Sequence, residues 1–222
     1  MVREWLATLI NQQSDLQVCG ETDSAPKALQ MIGAVNPEIA IVDISMEGGS
    51  GIELIKNIKA SHPDVMVIVL SMHDEALYAE RALRAGARGY IMKREATKGV
   101  LLAIRCVLGG KLYLSDKMAM MLAEKFVDGR LKSSGSVIEK LSDRELEVFQ
   151  LLGRGSSTRQ IADELHVSFK TVQAFCARIK EKLNLSSATE LLREAVRCMT
   201  ARKSSDTQIS FKRFLSNRLI SL

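Results

Sequence analysis

Asp43, Ser71 and Lys93 each stand directly behind a short apolar run, at 39–42, 65–70 and 89–92. Runs of this kind separated by helical patterns favour a parallel sheet wrapped by helices. Ligands and chemistry in open α/β sheets collect at the carboxyl ends of the strands, so a carboxylate, a hydroxyl and an ammonium group converge there. A carboxylate can accept a phosphoryl group, a hydroxyl can bond its oxygens, and a lysine can balance the added charge. A phosphatase-like α/β enzyme would also use Asp43 as nucleophile. Such enzymes need a second carboxylate two residues on as acid/base, and that position is Ser45.

A second constellation lies in the last third: Lys170, Thr171, Gln173, Ala174, Arg178 and Lys182. It falls on the second of two patterned helices, 157–166 and 169–183, separated only by Val167 and Ser168, which is a helix-turn-helix spacing. Ile161, Ala162, Leu165, Val172, Phe175, Ile179 and Leu183 make one apolar seam between them. An exposed helix start flanked by Lys170 and Thr171 suits backbone phosphates. Gln173, Ala174 and Arg178 are about one turn apart, with glutamine suited to adenine and arginine to guanine. The same residues also fit an ordinary four-helix domain with a solvated charged face.

The elements that must carry these residues follow from pattern. Helical periodicity covers 2–12, 25–35, 52–61, 75–85, 97–108 and 115–127, and strand-like runs cover 16–19, 39–42, 65–70 and 89–92. Residues 128–140, including GRLKSSGS, have the composition of a hinge. After Leu141 strand signals stop, and Ser142, Ser157, Ser168 and Ser187 mark four helix starts. Residues 141–222 hold 14 basic and 9 acidic side chains, whereas 1–140 hold 17 of each, so the net charge of +5 resides in the C-terminal part. A basic balance confined to one module points to a polyanion. No apolar run reaches the roughly 18 residues of a membrane span, and no secretory leader is evident, so a cytoplasmic protein without a membrane partner is expected. The four cysteines lack metal-ligand or disulfide spacing.

The segment LSDRELEVFQLLGRGSSTRQIADELHVSFKTVQAFCARIKEKLNL resembles the LuxR-type helix-turn-helix of NarL/FixJ response regulators. The resemblance implies that 169–183 is the recognition helix in the major groove and that 187–198 helps pair two subunits. Where the family usually has Lys and His after KTV, this chain has Gln173, Ala174 and Phe175. IVDISMEGGSGIEL, IVLSMHDE, ALRAGARGYIMKRE and IRCVLGGKLYLS are similar to the receiver domain of two-component response regulators. By that resemblance Asp43 is the phosphoacceptor, Ser71 the switch hydroxyl, Tyr90 the switch aromatic and Lys93 the site lysine. Phosphorylation would draw Ser71 and Tyr90 inward and alter the surface at 75–90.

The fold expected is therefore an N-terminally shortened flavodoxin-like α/β receiver domain at 1–113. A linker helix and hinge occupy 114–140, an all-α four-helix LuxR-type domain 141–199, and a basic tail 200–222. A typical receiver opens with a central strand ending in an acidic pair that holds Mg²⁺, and this chain starts after both. Asp43, with Glu47 as a further candidate, is left as a weak Mg²⁺ ligand. The function implied is non-enzymatic: a bacterial DNA-binding regulator, phosphorylated at Asp43 by a sensor histidine kinase and dimeric on double-stranded DNA. The alternatives are a phosphorylation-independent DNA-binding regulator with a degenerate receiver, and a receiver remnant that only pairs with other regulators.

Overall fold

The computed structural model describes residues 2–46, 49–127 and 137–200. They fall into two units, Met1–Ser134 and Gly135–Leu222. In the first, helix and strand alternate: α1 (Val2–Asn11), α2 (Ala25–Val35), β1 (Ile39–Val42), the paired rungs β2 (Ser45–Met46) and β3 (Gly49–Ser50), and α3 (Gly51–Ser61). There follow β4 (Met66–Ser71), α4 (Glu75–Ala85), β5 (Gly89–Met92), α5 (Ala96–Leu108) and α6 (Asp116–Val127).

The main sheet is parallel with order β1-β4-β5. β4 lies in the middle, and Val67, Ile68 and Val69 have no solvent exposure, the reason its sequence is an unbroken apolar run rather than an alternation. Behind it, Ile68, Leu70 and Ile91 pack with Ile10 of α1 and with Val100, Ala103, Ile104 and Val107 of α5. β1 is the edge strand, and Ile39, Ala40 and Ile41 are only half-buried.

The fourth strand expected at 16–19 does not form. Leu16 and Val18 pack against the α1/α5 cluster, while the Val18 amide donates to the Asn11 side chain at 2.8 Å. A strand exists through its neighbour's ladder, and among the described residues none pairs with β1 on its outer side. Among the described residues the apolar pattern at 16–19 serves packing.

Helix α6, whose sequence reads as a linker, packs on α4. Met118 is buried, the Ser115 hydroxyl donates to Glu75, and Lys125 pairs with Glu80. Of the hinge expected at 128–140, Val137–Lys140 form a short 3-10 helix, while 128–136 and the tail beyond residue 200 lie outside the described residues.

The second unit is helical: α7 (Asp143–Gly153), α8 (Thr158–Glu164), α9 (Phe169–Leu183) and α10 over 188–200. All four serines marked in the sequence cap these starts. Ser142 and Ser157 form reciprocal capping boxes with Glu145 and Gln160. Ser168 accepts from the Thr171 amide at 3.1 Å and Ser187 from the Glu190 amide at 3.1 Å. At Gly153 a Cβ would lie 2.7 Å from the Ala195 carbonyl oxygen, so α10 can cross there only over glycine.

Candidate functional site

Strand register brings the polar residues of the first unit together. Val42 is opposite Val69 and Ser71 opposite Met92, so Asp43, Ser71 and Lys93 emerge at one edge of the sheet. Lys93 Nζ stands 2.5 Å from Asp43 Oδ2, with both side chains partly exposed. Gly51 lets α3 start against this turn, since a Cβ there would lie 2.0 Å from the Asp43 carbonyl oxygen.

Beside the pair, a residue given no role in the sequence reading ties the site together. The His73 backbone amide donates to Ser71 Oγ at 3.1 Å, and its carbonyl accepts from the Tyr90 hydroxyl at 2.9 Å. Its Nε2 lies 2.7 Å from Ser45 Oγ, and its ring packs at 4.7 Å on that of Tyr78. Ser71 and Tyr90 are both already buried, so the inward movement expected of them on phosphorylation has no outward starting point in this structure. Burial pushes the Tyr90 phenol far above its ordinary range, with smaller contributions from surrounding carboxylates, which keeps it a hydrogen-bond donor. The only sequence signal for His73 was its place two residues after Ser71; its link to Ser45 spans 28 residues.

A hard divalent cation takes about six oxygen ligands. Among the described residues no group of three His, Cys, Asp or Glu side chains converges on a metal position. Asp43 is engaged by Lys93 and Ser45 by His73, so among the described residues the donor set at this edge does not fit Mg²⁺. Glu47, the other carboxylate considered, lies outside the described residues.

In the second unit, α8 and α9 close on the expected seam. Ile161, Val172 and Ile179 are fully buried, Ala162 and Leu165 nearly so, and Phe175 and Leu183 are half-buried. Lys170, Gln173, Ala174 and Arg178 are exposed. The half-buried Thr171 stays close to the cap, its Oγ1 2.8 Å from Ser168 Oγ. Lys182 instead donates at 2.6 Å to Glu145, which also accepts from the Ser142 amide at 2.8 Å. Burial works to raise the Glu145 pKa, but the Lys182 and Ser142 hydrogen bonds outweigh it and hold the carboxyl below the ordinary glutamate range. Lys182 thus fastens α9 to the start of α7. The guanidinium carbon of Arg178 lies 5.9 Å from the centre of the Phe175 ring.

Residues 1–105 match the response regulator receiver domain and residues 139–195 the bacterial regulatory proteins of the luxR family. Two oxygen regulatory proteins NreC, from Staphylococcus epidermidis and Staphylococcus carnosus, are each 34% identical over 89% of this chain and 93% of their own length. The chain belongs to the LuxR-type two-component response regulators. Among solved structures, this response regulator is similar to RcsB of Salmonella typhimurium, with 26% identity, TM-score 0.51 and coverage of 89% and 93% of the two chains. It is also similar to RcsB bound to promoter P1flhDC in the presence of phosphomimetic BeF3-, with 26% identity, TM-score 0.55 and coverage of 87% and 92%. The receiver and the DNA-binding LuxR-type domain of the family thus correspond to the two units of this regulator. No helix of its described residues is long and apolar enough to cross a membrane.

Proposed function

We propose that this regulator binds double-stranded DNA as a homodimer, with α9 in the major groove and α10 pairing the two copies. The observation that carries the reading is the outward face of α9. Lys170, Gln173 and Arg178 are exposed there, on a helix fixed from behind by its apolar seam. Lys170 and the free amides beside it meet phosphates, and Gln173, Ala174 and Arg178 meet base edges. Thr171 divides its hydroxyl between cap and phosphate, while Lys182 contributes by holding α9 in place. On α10, Leu192 and Val196 lie one turn apart and exposed, an apolar pair available to a second copy.

Input comes through Asp43, phosphorylated by a sensor histidine kinase, with Lys93 and Ser71 receiving the phosphoryl oxygens. Two observations favour a second reading, in which the first unit acts without phosphorylation: among the described residues no group of three ligating side chains gathers at the sheet edge, and Ser71 and Tyr90 are already inward.

The test is phosphoryl incorporation from a small-molecule donor with Mg²⁺, in the full chain and its Asp43→Ala variant, with DNA affinity followed in both. Asp43-dependent incorporation that tightens DNA binding supports the first reading. No incorporation with DNA binding intact supports the second. Absence of DNA binding under every condition would leave an interaction-only protein and overturn both.

A further inference from the structure

Arg178 differs from most other arginines among the described residues in what it touches. Arg84, Arg105, Arg144 and Arg197 each grip a carboxylate. Among the described residues Arg178 makes no ion pair or hydrogen bond, and its charged group lies over the Phe175 ring. Phe175 sits three residues earlier on α9, half-buried at the border between the apolar seam and the exposed face. Residues three apart on a helix are surface neighbours, so the ring forms a shelf on the inner flank of the arginine. An arginine held near an aromatic face by a cation–π contact loses freedom to swing while its planar edge and five N–H donors stay available. A fork held in one plane suits a planar pair of acceptors, and in the major groove guanine offers such a pair through O6 and N7.

We infer that Phe175 is a positioning residue for DNA recognition: its ring orients the Arg178 guanidinium for bidentate contact with a guanine, and so sets base preference without touching the base. The inference rests on the reading of α9 as the recognition helix. It also gives Phe175 a role besides its place in the seam, one that an aliphatic side chain of similar size would not supply.

The experiment uses the full chain and duplexes that it recovers from a randomised pool, with each guanine replaced in turn by 7-deazaguanine, which keeps base pairing but lacks the N7 acceptor. At one guanine the intact chain should lose about tenfold or more in affinity, in line with the discrimination of a bidentate pair. Arg178→Ala should be indifferent to that replacement. Phe175→Leu should weaken binding to the unmodified duplex by about two- to fivefold, the size of an exposed cation–π contact, and should shrink the 7-deazaguanine effect. Phe175→Tyr should restore both, and thermal melting should show all variants folded. Should Phe175→Leu melt too low to assay, Phe175→Met, with similar volume and no π face, replaces it.

A 7-deazaguanine effect that Arg178→Ala abolishes and Phe175→Leu leaves at full size would overturn the positioning role alone. Failure of Arg178→Ala to change any guanine dependence, or recovery of no preferred duplex, would overturn the α9 reading and the inference with it.

Discussion

The two units handle polar groups in opposite ways. At the sheet edge of the first, Asp43 bonds Lys93, Ser45 bonds His73, and the His73 backbone is held by Ser71 and Tyr90. On α9 of the second, the polar groups that matter point into solvent, and the internal bonds lie behind or beneath them, as with Lys182 and Glu145. A ligand arriving at the first site must displace hydrogen bonds already made, so binding there rearranges the protein. A ligand meeting Lys170, Gln173 and Arg178 on α9 would displace chiefly water from a face whose seam stays where it was. The proposed switch and the proposed grip thus lie in separate units of the chain.

The largest effect should come from the support of the grip. Ile179 is fully buried in the α8/α9 seam, so Ile179→Ala should cost about 2–5 kcal/mol of second-unit stability. Thermal unfolding should show one transition moving and the first unit's transition unchanged. A joint shift of both would contradict the independence of the two halves. Next in size is Tyr90→Phe, which removes a buried hydrogen bond to the His73 carbonyl and should cost about 1–2 kcal/mol, read from urea unfolding of the first unit. A neutral result would mean that the bond contributes nothing to closing the site.

These contrasts were unevenly legible in the sequence. The serine caps of the second unit were readable because a cap and its partner lie within three residues of each other. The edge occupied by Asp43, Ser71 and Lys93 was readable because a parallel sheet aligns strand ends. What escaped was non-local. Residues 16–19 carry a strand pattern, yet pattern cannot say whether a neighbouring ladder is present. Lys182 looks like a DNA contact from helical spacing alone, and only the fold brings it to Glu145, 37 residues away. Likewise α6 reads as one more helix after the receiver-like pattern, and its clasp on α4 through Ser115 and Lys125 depends on partners 40 and 45 residues away.

A smaller effect should appear with pH in the second unit. The Glu145 carboxyl lies below the ordinary glutamate range in the fold, because the Lys182 and Ser142 bonds overcome the upward push of burial. Its stabilisation is therefore present above the unfolded value of about 4.3 and is lost as pH falls through the lower folded value. The urea midpoint of the second unit should decline on acidification through that window, and Glu145→Gln should flatten the decline while lowering the midpoint at neutral pH. An unchanged acid slope in the variant would assign the decline to other carboxylates.

The smallest effect belongs to Lys93→Met, and its size decides how tightly the first site is closed. Lys93 and Asp43 retain 24% and 30% of their side-chain exposure, and ion pairs with that access to water contribute about 0–1 kcal/mol. The variant should therefore unfold within that margin of the parent, and the difference should shrink further as salt is raised. A pair so weak leaves Asp43 free to exchange its lysine partner for a phosphoryl group, with Lys93 remaining to balance the added charge. A loss of about 3 kcal/mol or more, insensitive to salt, is the behaviour of a desolvated pair. Asp43 would then be a structural carboxylate, and the closed network at the sheet edge a fixed part of the fold rather than a switch.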